Sequence, residues 1–166
     1  EEIKNINTKI IGFVGNLDDL RVNYPLMKKI AEVHFDKTLL LVGPINNNQV
    51  YDLGMDKMPN IIFTGSKEIQ NLPPYLQYID VAIIPFSLNT LTKSIYPLKI
   101  NEYLAAGRAV IATNFSEDIR AFKDVIHIAK SEDQFVNLID KAIIEQIPEK
   151  IQKCMDVANS NTWGAR

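Results

Sequence analysis

The sequence predicts an α/β domain built on a doubly wound parallel sheet with helices on both faces. Three observations carry that expectation. Short apolar runs recur without polar alternation, as strands buried on both faces require. Gly or Pro closes most of those runs, which marks a turn after each. Amphipathic stretches of helical period lie between them, giving the strand–helix alternation of a parallel sheet.

The elements follow in order. Ile10 to Val14 is a buried strand ended by Gly15. Pro25 stands where a first helical residue would, and Leu26, Ile30 and Val33 repeat at helical spacing. Thr38 to Val42 is a second strand closed by Gly43 and Pro44, and Ile61 to Thr64 a third closed by Gly65. A short helix around Tyr75 to Tyr78 leads to a fourth strand, Val81 to Ile84, ended by Pro85. Pro97 opens a helix that runs through Leu104 to Gly107, a natural C-terminal stop. Val110 to Thr113 is a fifth strand, and Ile126 to Ala129 a sixth at an edge. Ser131 and Gln134 form a capping box. Behind it Phe135, Leu138, Ile139, Ala142 and Ile143 mark one helical face, and past Pro148, Ile151, Cys154, Met155 and Ala158 mark another. The architecture is therefore Rossmann-like.

Bulk properties narrow the function. The 166 residues, 46% of them hydrophobic, suit one domain. Lys plus Arg number 18 against 20 Asp plus Glu, so the basic excess of a nucleic-acid binder is absent. One cysteine, Cys154, excludes an intramolecular disulfide and fits a reducing compartment. No apolar run approaches the roughly 20 residues of a membrane span, and no signal-peptide pattern opens the chain. The expected location is cytoplasmic. The first residue is Glu1 rather than Met, and the chain is expected to be an excised fragment.

In an open parallel sheet, ligands bind beyond the carboxyl ends of the strands, near the point where strand order reverses. The candidate contacts are therefore Gly15 and Asn16, Gly43 and Pro44, Gly65 to Lys67 with Ser66 between, and Pro85 with Phe86. Glycine there admits close approach of a ligand, or simply turns the chain. Ten residues, Ser87 to Tyr96, separate the fourth strand from Pro97, a long connection that favours a functional loop. The loop meets a helix N-terminus, where a pyrophosphate would be stabilised, and Lys93 could add a full positive charge. Glu102, on the second turn of that helix, could accept the paired hydroxyls of a ribose, with Lys99 a further candidate donor contact, or the two could pair on the surface.

The segment PLKINEYLAAGRAVIAT, Pro97 to Thr113, resembles the signature of the retaining GT-B glycosyltransferases of group 1 (family 4), whose common form is "xxEYLAxGxPVVAT". IIGFVG, LLLVGP, IIFTG with LPPYL, DVAIIPF and the final SNTWGAR resemble successive parts of the C-terminal domain in that group, especially in bacterial cell-surface polysaccharide enzymes of the teichuronic acid biosynthesis type. The likeness covers Ile10 to Arg166.

The resemblance implies one half of a GT-B fold, with a linker remnant over 1–9 and a nucleotide-sugar-binding domain over 10–147. A C-terminal helix and tail over 148–166 would pack toward an absent N-terminal acceptor domain. It implies that Glu102 binds the nucleotide ribose, as the second of the family's paired glutamates; the first is replaced by Ser94. Backbone N–H groups of Thr92, Lys93, Ser94 and Ile95 would hold the diphosphate, Arg21 and Lys93 would neutralise it, and Gly65 to Lys67 would meet the base. No catalytic residue is assigned. The partners implied are a nucleoside diphosphate sugar, with uridine the commonest base among look-alikes, and the N-terminal domain, through which the full protein could meet the membrane. No metal or further cofactor is expected, since His34, His127 and Cys154 are scattered. A hydrolase would want G-x-S-x-G and a dinucleotide dehydrogenase G-x-G-x-x-G; neither is present. An epimerase of the same fold and a noncatalytic module with a decayed donor site are the alternatives.

Overall fold

The computed structural model describes residues 3–161. Six parallel strands form one sheet: β1 (Ile10–Val14), β2 (Thr38–Val42), β3 (Ile61–Gly65), β4 (Val81–Ile84), β5 (Ala109–Thr113) and β6 (His127–Ala129). Their spatial order is β3-β2-β1-β4-β5-β6, so the order reverses between β1 and β4. This is the doubly wound sheet that the sequence predicts.

Burial follows position in the sheet. Every residue of β1, β2 and β4 is buried, whereas the edge strands β3 and β6 are mostly half-buried. Uninterrupted apolar runs are what strands covered on both faces need. The register is continuous across the centre, Ile10 opposite Thr38 through Val14 opposite Val42. It slips once, between Leu41 and Val42 against β3.

The helices are α1 (Tyr24–Val33), α2 (Gln49–Asp52), α3 (Leu72–Tyr78), α4 (Thr90–Lys93), α5 (Leu98–Ala105), α6 (Glu132–Ile144) and α7 (Pro148–Ser160). Right-handed crossovers running outward from β1 in opposite directions put α1 and α5 on opposite faces. α6 packs beside α1, and α7 lies on α5.

Several boundaries differ from expectation for local reasons. Asn23 caps α1 by accepting the Leu26 N–H at 2.9 Å, so Pro25 falls one residue inside the helix. α3 begins at Leu72, because Pro73 and Pro74 sit in its first turn, where no N–H is needed. Pro97 caps α5 from outside rather than opening it. Gly65 completes β3, Ala109 starts β5, and β6 begins at His127. The predicted capping box is half formed. Ser131 accepts the Gln134 N–H, but Gln134 reaches back to the Lys130 N–H instead of the Ser131 one. The connection Ser87 to Tyr96 contains helix α4, which its polar composition hid.

Of the segment expected as a linker, Ile3 is buried in the core and Ile6 packs against it. The Thr8 hydroxyl lies 2.6 Å from that of Thr38. α7 lays Cys154 and Ala158 on the domain itself. Trp163 and Arg166 lie outside the described residues.

Candidate functional site

The reversal between β1 and β4 opens the crevice in which open α/β sheets bind ligands. Its floor is the turn after β1. The Gly15 N–H donates to Val42 at 2.8 Å and the Gly43 N–H to Gly65 at 3.0 Å, so the strand ends are tied in a row. Gly43, at φ +147°, has no room for a side chain: a Cβ would lie 1.8 Å from the Gly15 carbonyl oxygen.

The walls come from two loops stitched together. The Ser87 N–H donates to the Arg21 carbonyl at 2.7 Å, and the Asn89 side-chain amide to the Leu20 carbonyl at 2.8 Å. Val22 and Phe86 form an antiparallel bridge. Asn89 also caps α4 by accepting the Thr92 N–H, while Thr92 Oγ1 accepts the Asn89 N–H. The N-x-x-T spacing of that pair is the signal by which sequence reasoning could have found α4.

The cation at the centre is Lys99. Spacing alone leaves a surface pair with Glu102 open, but the ammonium reaches back along the crevice and donates to the Val14 carbonyl at 2.8 Å. It stands 5.6 Å from the Phe13 ring centroid. Burial pulls its pKa below the ordinary lysine value, the Glu102 carboxylate pushes it back up, and Arg21 lowers it further. These charges therefore act on one another across the mouth of β1. Glu102 is exposed, one turn along α5 from Lys99. Tyr103 beside it is fully buried and accepts the Val14 N–H at 2.9 Å; burial raises its phenol pKa. Sequence reasoning passed over Tyr103, since nothing in its spacing distinguishes it from a packing aromatic.

The remaining candidates are distributed as follows. Arg21 is half-buried and bound through Nε to Asp18 at 2.6 Å. Asn16 is exposed and accepts a long bond, 3.4 Å, from Asn46. Gly65, at φ +70°, and exposed Ser66 lie at the end of edge strand β3, two strands from β1. Lys67 there sits over the Tyr75 ring at 5.7 Å. Lys93 is exposed and lines an open depression with Asn114, Ser116 and Arg120, beyond the end of β5.

The backbone donors of Thr92 to Ile95 meet their needs within the loop. Thr92 N–H goes to Asn89 Oδ1 at 2.9 Å, Lys93 N–H to Asn89 O at 3.1 Å, Ser94 N–H to Leu91 O at 3.2 Å and Ile95 N–H to Thr92 O at 3.1 Å. The Thr92 hydroxyl is buried on the Ser87 carbonyl at 2.6 Å. In this conformation α4 itself uses the donors that the resemblance assigned to a diphosphate. Formation of the short helix is the reason.

The two histidines are apart. His34 is buried with Nε2 2.9 Å from the Val136 carbonyl, and His127 pairs with Glu145 at 3.3 Å. Among the described residues no helix is long and apolar enough to cross a membrane.

Residues 8–149 match the family described as "Glycosyl transferases group 1". The chain is 27% identical over 159 residues to a Bacillus subtilis (strain 168) protein named "Putative teichuronic acid biosynthesis glycosyltransferase TuaH". That match covers 93% of this chain and 40% of the relative, so the chain spans less than half of the relative's length. Among solved structures, Anabaena Alr3699/HepE in complex with UDP aligns with a TM-score of 0.74 at 15% identity, over 93% of this chain and 44% of that one. The catalytic domain of cholesterol-alpha-glucosyltransferase from Helicobacter pylori aligns with a TM-score of 0.74 at 16% identity, over 94% of this chain and 100% of that one. At these identities the structures establish a shared fold.

Proposed function

The chain belongs to the group 1 glycosyl transferases, and we propose that within that family it is the donor-binding domain of an enzyme that transfers a sugar from a nucleoside diphosphate sugar. The observation that carries the proposal is Lys99. Its partly desolvated ammonium is held at the end of β1, with Glu102 one turn further along the same helix. A cation in that position suits a diphosphate, and a carboxylate one turn on suits a ribose.

The donor is a UDP-sugar in this reading. The complex of HepE with UDP supports it, as does a further complex of HepE with UDP-glucose. Departure of the nucleotide leaves negative charge on the β-phosphate. Lys99 and Arg21 are oriented beforehand and meet that charge without reorganising, which is how prearranged charges lower a barrier. The acceptor is a cell-surface polysaccharide or glycoconjugate precursor, by analogy with TuaH. It would be held by an N-terminal domain on the cytoplasmic side of the membrane, and the donor itself is the only cofactor-like group required.

Calorimetric titration of the chain with UDP, GDP and ADP tests this, repeated on Glu102→Ala. Selective binding of one nucleotide, weakened by the substitution, is expected. A second reading, a noncatalytic assembly module, draws on Ser94 standing where the family pattern has a glutamate. Absence of heat with all three nucleotides at millimolar concentration, in a folded sample, would replace the first reading by the second.

A further inference from the structure

A second cavity lies at the opposite end of the sheet from the crevice. It has a volume of about 250 Å³ and sits where β5 and β6 begin, between the end of α6 and the start of α7. Its interior is apolar, formed by Ala109, Val110, Ile126, Ala142, Ile151 and Cys154. Its volume falls just below the range of ordinary ligand pockets, so an occupant would be small.

The rim is charged and unbalanced. Lys123, Lys150 and Lys153 line the cavity together with Asp124 and Glu145. The Glu145 carboxylate is already surrounded: Lys150 lies at 2.9 Å, His127 at 3.3 Å and Lys141 at 3.8 Å. Those partners hold the Glu145 pKa below its ordinary value. Among the described residues, Lys153 donates a long bond, 3.3 Å, to the Asp124 carbonyl. Lysines therefore outnumber carboxylates at the rim, in a chain whose formal net charge is -2. Ile144 and Ile147, which flank the lining residues Glu145 and Gln146, expose apolar surface beside the mouth.

We propose that this cavity binds a small amphipathic anion, with a compact apolar body among Val110, Ile126 and Ile151 and a phosphate or carboxylate head on Lys123 and Lys153. Apolar burial fixes the body, and charge-assisted hydrogen bonds fix the head. Neither part alone suffices. An inorganic anion leaves the floor unfilled, and a neutral alkyl chain leaves the lysines unanswered. The head could belong to a free metabolite or to a lipid headgroup, and both present the same chemistry. The site shares no lining residue with the crevice, and it stands whether or not the donor reading does.

The test is a titration of the isotope-labelled chain with octyl phosphate, followed by backbone amide NMR. The expected result is saturable binding that shifts the amides of Ile126, His127 and Ile151, with octanol and inorganic phosphate each at least tenfold weaker. Lys123→Glu with Lys153→Glu reverses two exposed charges and leaves the Glu145 cluster intact. It should weaken octyl phosphate at least tenfold while preserving the dispersed spectrum of a folded chain. Lys153→Glu alone should weaken it less. Co-sedimentation with phosphatidylglycerol vesicles, lost in the double variant, would assign the head to a lipid; octyl phosphate binding without sedimentation would assign it to a free ligand. Equal affinity in the wild-type and charge-reversed chains overturns the proposal, as would no saturable shift at those amides up to millimolar octyl phosphate.

Discussion

The ammonium of Lys99 occupies the space that a side chain on Gly15 would need. A Cβ built on Gly15 falls 2.2 Å from Lys99 Nζ and 2.6 Å from Cε. The glycine and the lysine are 84 positions apart in the chain (99 less 15), yet one exists in this form only because of the other.

Gly15→Ala should therefore expel the ammonium from its bond to Val14. Gly15 also has a φ of +155°, which a side chain tolerates poorly. The expected outcome is a loss of about 1–3 kcal/mol in denaturant unfolding, together with at least tenfold weaker nucleotide binding by calorimetry. Gly54→Ala is the control: its φ is +69° and nothing lies within 4 Å of a Cβ there. It should cost stability and leave nucleotide affinity unchanged. Equal loss of affinity in both variants would sever the link between Gly15 and Lys99.

Lys99→Met keeps the bulk of the side chain and removes its charge. A hydrogen bond to a charged group contributes about 1.5–3 kcal/mol, so UDP should bind roughly 10- to 100-fold more weakly, while uridine binds as before. The pKa direction adds a pH signature. Burial lowers the Lys99 pKa in the folded chain, so the ammonium releases its proton at a lower pH than a free lysine. UDP affinity should then fall as pH rises through that lowered value, and the slope should vanish in the variant. Folding stability has the opposite sign: relieving the buried charge makes the fold relatively more stable as pH rises through the same window.

Tyr103→Phe removes the acceptor of the Val14 N–H and leaves a buried donor unsatisfied. That costs about 1–3 kcal/mol. A drop in Tm of roughly 2–10 °C by calorimetry follows for a chain of this length. An unchanged Tm would mean that the N–H finds another partner.

Acid should destabilise the chain partly through His127. Burial lowers its pKa against the opposing pull of Glu145. A histidine held neutral in the fold takes up its proton more readily when unfolded, so its stabilising share is present above the ordinary histidine pKa and is lost as pH falls below it. In His127→Gln, stability between neutrality and mildly acid pH should decline less steeply in urea titrations. An identical slope would place the acid sensitivity elsewhere.

The parts of this molecule that local pattern determines were legible in its sequence. The central strands read correctly because burial on both faces leaves an uninterrupted apolar run, and Gly15 and Gly43 marked their ends. What was not legible depends on where long side chains go. The spacing of Lys99 leaves a donor contact and a surface pair with Glu102 both open, because a helical wheel ignores a strand end brought beneath it by β1–β4 pairing. The polar stretch around Asn89 reads as a functional loop without a helix, because a helix of four residues leaves almost no period, only a cap. The cavity between α6 and α7 has no local signature. Its lining is gathered from four separate stretches of chain.

The bonds from Ser87 and Asn89 to the carbonyls of Arg21 and Leu20 join two loops that are 69 positions apart at Leu20 and Asn89. A residue inserted into either loop would break that match unless the other lengthened with it. Across relatives, the lengths of these two connections should thus change together, as a lock and its catch must, while the loop after β3, which takes no part in the joint, is free to drift alone.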